Sequence, residues 1–179
     1  MIRVVVSLGT DHHPFDRMLD WIEIGQRRLE LDAMVQRGAT NERDGIESVD
    51  YVTADELAGL MRAADAVVCH GGPATISLAR RSGHRPIVVP RNPALGEHVD
   101  DHQQRYTTKL AADGVVDSAR SIDELISLLS VPRPVRDGAD NDEATAQAVT
   151  LFAGFVEGIL NGTLPKRRWR DRIRVRRTR

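Results

Sequence analysis

The 179-residue chain has a single cysteine, few aromatic residues and no long apolar run. Because Cys69 has no second cysteine to pair with, we expect no disulfide within the chain and no cysteine-based metal cluster. Its place after Ala66-Val67-Val68 favours a small buried strand residue over a nucleophile. No apolar stretch approaches the roughly 20 residues that cross a bilayer, and the quickly polar start MIRVVVSLGT predicts no secretory leader. We therefore expect a cytoplasmic protein.

Two common nucleotide-binding motifs are also missing. Gly9-Thr10 follows an apolar run but does not belong to a G-x-G-x-x-G fingerprint, and no G-K-S/T sequence occurs anywhere. The sequence therefore does not favour a nicotinamide cofactor or P-loop chemistry, and we expect no cofactor. No Ser-His-Asp arrangement for nucleophilic catalysis can be defended either, so the sequence assigns no catalytic residue.

Charge is distributed unevenly along the chain. Nine of the 25 basic residues and one of the 26 acidic residues lie within 166–179, so the remainder carries 16 basic against 25 acidic residues. We expect residues 1–162 to form one domain and residues 163–179 to form a basic tail. The tail suits an anionic lipid surface at the inner face of the membrane or an acidic partner, and a merely solubilising end is the alternative. The acidic body argues against nucleic acid as the main ligand.

Apolar runs alternate with helical patterns from the N-terminus to about residue 130. The runs predict parallel strands, since they read as buried on both faces, and the repeated strand–helix units predict helices on both faces of one sheet. The fold class is therefore α/β, a Rossmann-like parallel sheet followed by a C-terminal helix over 144–160 and the tail. Predicted strands are 2–6, 31–35, 49–52, 66–69, 86–89 and 115–116; predicted helices start at Pro14 and span 54–63, 74–81, 101–112 and 122–129.

Three polar, flexible segments follow predicted strands, where parallel sheets bind ligands: 9–13, 70–75 and 91–104. His70-Gly71-Gly72 would let a diphosphate approach bare N–H groups, with the next helix presenting its positive end. The same glycines could instead make only a tight turn, with Thr75 or Ser77 starting the helix.

Histidines and acidic residues gather in two of these segments. His12 and His13 could act as bases, but adjacent loop side chains usually point apart and stay solvated. A metal site among residues 97–102 is conceivable, although contiguous residues do not all face one centre. Capping by Asp100 or Asp101 is the stronger interpretation, so we expect no metal.

The segment LMRAADAVVCHGGPATISLARRSGHRPIVVPRNPALGEHVDDHQQRYTTKLAADGVV resembles the donor-binding C-terminal half of family 28 glycosyltransferases of the GT-B type. VVVSLGTDHHPFDRML is similar to that family's first strand and glycine loop, and MVQRG to its second strand. The resemblance covers about residues 2–130. In length and in LGEHVDDHQ the chain is most similar to soluble donor-binding subunits of two-chain exopolysaccharide and dolichol-linked GlcNAc transferases.

The resemblance implies a nucleotide-sugar site. It places Gly9 and Thr10 beside the phosphates, the His70–Gly72 turn at the diphosphate, and the two glutamines at the sugar hydroxyls. The full implied set of substrate-binding residues is Gly9, Thr10, His13, His70, Gly71, Gly72, Ala74, Thr75, Glu97, Asp101, His102, Gln103 and Gln104. Leu78 stands where many relatives carry a ribose-binding glutamate, so ribose recognition would have to come from Ser77, Glu97 or elsewhere.

The implied function is transfer of a sugar from a nucleotide sugar, with UDP favoured, to a lipid-linked or polysaccharide acceptor. The family's acceptor base lies in its N-terminal half, so a membrane-associated partner subunit is expected to supply it. A non-catalytic nucleotide-binding regulator of the same fold is the alternative, and a sugar-nucleotide epimerase ranks last.

Overall fold

The computed structural model describes residues 1–134, which form one six-stranded sheet covered by five α-helices. All paired strands run parallel, in the order β3-β2-β1-β4-β5-β6. The strands are β1 Ile2–Ser7, β2 Leu31–Gln36, β3 Glu47–Val49, β4 Ala66–Cys69, β5 Ile87–Val88 and β6 Asp117–Ser118. The predicted parallel α/β sheet is thus confirmed.

Helices follow every strand except β2, which leads to β3 through a loop, and the last helix follows β6. They are α1 Asp16–Leu29, α2 Ala54–Ala63, α3 Pro73–Arg81, α4 His102–Ala112 and α5 Ile122–Leu129, with a short 3-10 turn at Pro93–Leu95. The predicted bounds of α2, α5 and β4 are those observed. The two edge strands differ from the prediction, because β3 begins two residues before Val49 and β6 begins after Val116.

Side chains of the central strands feed apolar clusters on both faces of the sheet. Val4 and Val6 pack in the same cluster as residues of α1 and α5, whereas Val5 packs with residues of α2 and α3. A third cluster joins Cys69 to residues of α3 and α4. Helices therefore cover both faces, and the loops at the carboxyl ends of the strands are free to carry the site.

Cys69 is fully buried in β4, and burial raises the pKa of its thiol to about 12. The thiol therefore stays protonated at neutral pH, which agrees with the predicted strand role. The predicted C-terminal helix over 144–160 and the basic tail over 163–179 lie outside the described residues. No helix within residues 1–134 is long and apolar enough to span a bilayer.

Candidate functional site

The strand order creates a crevice at the carboxyl edge of the sheet. β1 lies between β2 and β4, so the chain leaves β1 toward one side and reaches β4 on the other. Ligands of open parallel sheets bind at such a switch point.

The structure places every predicted site residue at this edge: Gly9, Thr10 and His13 after β1; His70, Gly71 and Gly72 after β4; Ala74 and Thr75 in the first turn of α3; Glu97 after β5; and Asp101, His102, Gln103 and Gln104 at the start of α4.

The glycines of this edge make room for the protein's own side chains. A Cβ atom on Gly72 would lie 2.0 Å from Nε2 of His70, and one on Gly9 would lie 2.4 Å from Cε1 of the same ring. The His70 imidazole therefore sits between the two glycines, with its Nδ1 3.4 Å from the carbonyl oxygen of Ser7. Packing of His70 accounts for Gly72, and Gly9 is required both by this packing and by its φ of +81°.

The space beside Gly71 is filled by a different side chain, that of Gln103. A Cβ atom there would meet Cβ of Gln103 at 2.9 Å, and the Gly71 N–H already donates to Oε1 of Gln103 at 3.0 Å. The same oxygen accepts from the N–H of Arg91 at 3.3 Å. Gln103 is buried, so its carbonyl oxygen joins the β4 and β5 loops, and the expectation that the Gly71 N–H is bare for a ligand is wrong.

The amino end of α3 is the open part of the turn. Gly72 is the N-cap residue and makes no side-chain cap, and Pro73 follows as the first helical residue. Within the described part of the chain, no hydrogen bond satisfies the backbone N–H of Ala74 or Thr75. Ala74 is exposed and Thr75 half-buried, so two N–H donors and the positive end of a helix dipole face the crevice.

Burial lowers the pKa of His70 to about 4, so the ring is neutral at pH 7. Its distance to the Ser7 carbonyl assigns the ring proton to Nδ1 and leaves a lone pair on Nε2, beside Gly72. His70 therefore supports the turn from inside instead of presenting a charge to solvent.

Neither of the two residues suggested for ribose recognition is free. Glu97 is buried, and its two carboxylate oxygens each accept a 2.8 Å hydrogen bond from Arg17. One of them also accepts the backbone N–H of Asn92 at 2.7 Å. Ser77 is likewise buried and accepts from Arg81, while Leu78 packs against the apolar cluster of α2 and α3. Both polar residues therefore have structural partners.

Arg91 is an organising residue that the sequence analysis missed. It is only 1% exposed, and its guanidinium donates to the carbonyl oxygens of Leu8, His13 and Glu97 at 2.7–3.0 Å. The guanidinium also lies 4.8 Å from the centre of the Phe15 ring. Nothing in the local sequence, which reads as a proline-flanked surface loop, signals this burial. Arg91 fixes the loops after β1 and β5 against each other.

Two Asp-x-His units face each other across the loops after β1 and β5. Asp11 accepts from the backbone N–H of His13 at 2.8 Å and lies 2.6 Å from its Nδ1. Asp100 accepts from the backbone N–H of His102 at 3.0 Å and contacts its Nδ1 closely. His13 is therefore paired, contrary to the expectation of a solvated side chain. Asp101 is the N-cap residue of α4 but its side chain makes no capping hydrogen bond, whereas the preceding Asp100 accepts the N–H of the first helical residue, His102.

His98 lies between these two units. Its Nε2 is 3.6 Å from Oδ2 of Asp11, and its Nδ1 is 3.7 Å from Oδ1 of Asp100. Burial and the neighbouring His102 lower the pKa of His98. Burial would raise the pKa of both aspartates, but the hydrogen bonds from His13 and His102 lower them overall. Two carboxylates thus stay ionised around a neutral central imidazole.

A cavity of about 460 Å³ opens beside this edge, between α1, α4 and the loop after β5. Asp101 and Gln104 line it together with Arg17, Arg105 and Arg120. The glycine turn and the amino end of α3 do not line this cavity. The predicted residues therefore divide between the crevice at the switch point and this neighbouring basic cavity.

A protein-family model, the glycosyltransferase family 28 C-terminal domain, matches residues 21–150. This match covers most of the chain, from within α1 through β2 to α5, and begins after β1 and the loop that follows it. No curated protein sequence gives a significant match.

Among solved structures, the chain is similar to the glycotransferase of kitacinnamycin, with a TM-score of 0.54 at 18% identity over 84% of this chain. It is also similar to the calicheamicin glycosyltransferase CalG4, with a TM-score of 0.53 at 13% identity over 92% of this chain. The match spans 37% and 44% of those two proteins, respectively. At such identities the likeness establishes the fold alone.

Proposed function

The chain belongs to the glycosyltransferase family 28 C-terminal domain family, and we propose that it binds the nucleotide-sugar donor of an inverting glycosyltransferase. The open amino end of α3 beside the β1–β4 crevice carries this proposal. Two backbone N–H groups without partners in residues 1–134 and a helix dipole there suit the two phosphates of a nucleoside diphosphate. We expect the donor to be a UDP-sugar.

In the proposed reaction, an acceptor hydroxyl oxygen attacks the anomeric carbon while the bond from that carbon to the diphosphate breaks. Negative charge grows on the leaving diphosphate, and the N–H groups of Ala74 and Thr75 stabilise it in place. Thr10, which is exposed, would contact the phosphates from the loop after β1. The side-chain amides of Gln103 and Gln104 would read the sugar hydroxyls, and His102 and Asp101 would line the sugar pocket. His70, Gly71 and Gly72 would position the turn.

We further propose that the acceptor and the base that takes its proton belong to an acceptor-binding, membrane-associated subunit, which forms a heterodimer with this chain. The acceptor would be a lipid-linked saccharide or a growing exopolysaccharide. The basic tail over 163–179 would place the complex peripherally at the inner face of the membrane, because each basic residue near an anionic surface contributes about 1 kcal/mol.

A charge placed at Ala74 tests the donor site directly. Ala74→Glu puts a carboxylate where the diphosphate is proposed to bind, whereas Ala74→Gln keeps the size without the charge. Ala74 is exposed and an acidic residue suits a helix start, so both variants should fold. We expect Ala74→Glu to bind UDP at least ten-fold more weakly than Ala74→Gln in calorimetric titration. Equal affinities, or no binding of UDP, UDP-sugars or GDP-sugars at millimolar ligand, would contradict the proposal.

The subunit proposal has its own test. The tagged full-length chain should copurify with a membrane-associated acceptor-binding protein, and the pair should transfer sugar from a UDP-sugar. If the chain purified without such a partner and transferred sugar with full activity by itself, the heterodimer would be contradicted.

One observation favours a second function, a nucleotide-binding regulator without catalysis. Glu97 and Ser77 are held by Arg17 and Arg81, and Leu78 packs in an apolar cluster, so these side chains do not fix the ribose and would leave a phosphate-bound donor poorly oriented for transfer. This alternative predicts nucleotide binding without transfer, even when an acceptor subunit is bound.

A further inference from the structure

The loop that leads into α4 carries a histidine, an aspartate and a histidine at alternate positions. His98, Asp100 and His102 each offer one ligand atom, and these atoms lie within 4.8 Å of one another. Contiguous residues point apart, but alternate residues of this loop face the same side. Adjacent residues of 97–102 do not all face one centre, as expected, but these three alternate residues do.

The protonation of His98 prepares one ring nitrogen as a ligand. The backbone N–H of Asp100 donates a long, 3.4 Å hydrogen bond to Nδ1 of His98, so this nitrogen is unprotonated, and an ion would take its lone pair in place of that contact. The opposite nitrogen, Nε2, carries the proton and lies 3.6 Å from Oδ2 of Asp11, just beyond hydrogen-bond distance, so a small movement of the ring would let it donate to this carboxylate. Histidines that bind metals are oriented in this way, with the second ring nitrogen donating to a carboxylate outside the site.

The distances around His98 leave room for an ion, whereas Asp100 and His102 contact each other directly. Nδ1 of His98 and Oδ1 of Asp100 are 3.7 Å apart, beyond a normal hydrogen bond. Zinc bonds of about 2.0–2.2 Å place neighbouring ligand atoms of a tetrahedral site roughly 3.3 Å apart. Rotation of His102 away from Oδ1 of Asp100, which gives up their hydrogen bond, would bring the three ligands around one ion.

We propose that His98, Asp100 and His102 bind one divalent metal ion of the zinc type, with Asp11 as the outer carboxylate that orients His98. Three protein ligands leave a fourth position open to water or to an anion. The ion would add positive charge to the loop after β5. The proposal goes beyond donor binding and does not rest on it, because the stabilisation by α3 calls for no metal.

The neighbouring group of Asp11, His12 and His13 fits the outer role better than a second metal site. Oδ1 of Asp11 is already held by the N–H and the ring of His13, and Oδ2 faces His98. His12 is exposed, and its ring centre lies 4.0 Å from that of His13 with the two planes tilted by 38°. By contrast, no hydrogen bond within residues 1–134 uses Oδ2 of Asp100, which leaves that oxygen for an ion.

Metal titration of the full chain without nucleotide tests the proposal. The purified chain, freed of metal by a chelator, is titrated with Zn²⁺ by calorimetry and with Co²⁺ by visible absorption. We expect one equivalent to bind, with the intense absorption of tetrahedral Co²⁺. His102→Asn should weaken Zn²⁺ binding by on the order of 100-fold, and Asp11→Asn by about 10-fold.

His12→Asn is the matched control, since His12 is a neighbouring exposed histidine that lies outside the proposed ligands. It should bind Zn²⁺ as the unmodified chain does, and circular dichroism should show that all variants fold. Binding weaker than millimolar, or an equal loss in His12→Asn and His102→Asn, would overturn the proposal. This titration contains no nucleotide, so its result does not bear on the separate test of UDP binding with the Ala74 variants.

Discussion

At the residue scale, the His70 ring explains the glycines on both sides of it. A glycine beside a ligand and a glycine beside a buried side chain look the same in a sequence, since both positions only require the absence of Cβ. Here the nearest atoms belong to His70 for Gly9 and Gly72, and to Gln103 and Thr107 for Gly71. The sequence could therefore locate this turn but could not say what fills it.

Replacement of Gly72 by alanine should destabilise the fold. Gly72 has a φ of −83°, which alanine adopts without strain, so the effect isolates the clash with Nε2 of His70 at 2.0 Å. Overpacking of this kind costs about 1–3 kcal/mol, which urea denaturation would measure. In a His70→Ala background, Gly72→Ala should cost clearly less. An unchanged stability together with lost UDP binding would instead assign Gly72 to the ligand.

His70 should also make stability depend on pH. Its pKa is about 4 in the folded protein and about 6.5 when unfolded, so between these values the unfolded chain binds the extra proton. Stability contributed by the neutral ring is complete above pH 6.5 and is lost as the pH falls toward 4. We expect the free energy of unfolding to drop between pH 7 and 4 by about 3 kcal/mol more than in His70→Gln. Parallel pH profiles for the two proteins would contradict this origin.

At the element scale, prediction succeeded where local signals and burial coincide. α2 follows Thr53 and has Glu56 three residues later, which is a capping box, and its observed bounds are those predicted. The short edge strands were misplaced, because apolar residues mark burial and not strand pairing. Val116 is fully buried, yet the paired residues of β6 are Asp117 and Ser118.

The capping box of α2 should contribute measurably to stability. The Thr53 hydroxyl accepts the N–H of Glu56 at 3.2 Å, and the Glu56 carboxylate accepts the N–H of Thr53 at 2.8 Å. Thr53→Ala removes the hydroxyl and should cost about 1 kcal/mol in urea denaturation. Thr53→Ser keeps the acceptor and should stay within a few tenths of a kcal/mol. A loss of the same size in both variants would mean that the methyl group, and not the cap, is responsible.

At the scale of the whole molecule, the alternation of strands and helices was enough to predict a parallel sheet with its ligand edge. The chain order alone does not fix which strands are neighbours, and it does not reveal contacts between loops distant in sequence. Glu97 is 80 residues from Arg17, and Arg91 is 83 residues from Leu8. Such pairs depend on the assembled fold, which is why the sequence assigned Glu97 to a ligand and overlooked Arg91.

Removal of the Arg91 guanidinium should loosen this whole edge of the sheet. Arg91→Met keeps much of the side-chain length but deletes the donors to Leu8, His13 and Glu97, leaving their carbonyl oxygens without that partner. Each buried group left unpaired costs about 1–3 kcal/mol, so we expect a loss of about 3–5 kcal/mol in urea denaturation. Amide hydrogen exchange should rise in residues 8–13 and 91–98 more than in α2. Arg3→Met, which removes an exposed ion pair with Asp65, is the control and should leave the urea midpoint nearly unchanged. If the two variants were equally stable, the loops would be held by contacts other than Arg91.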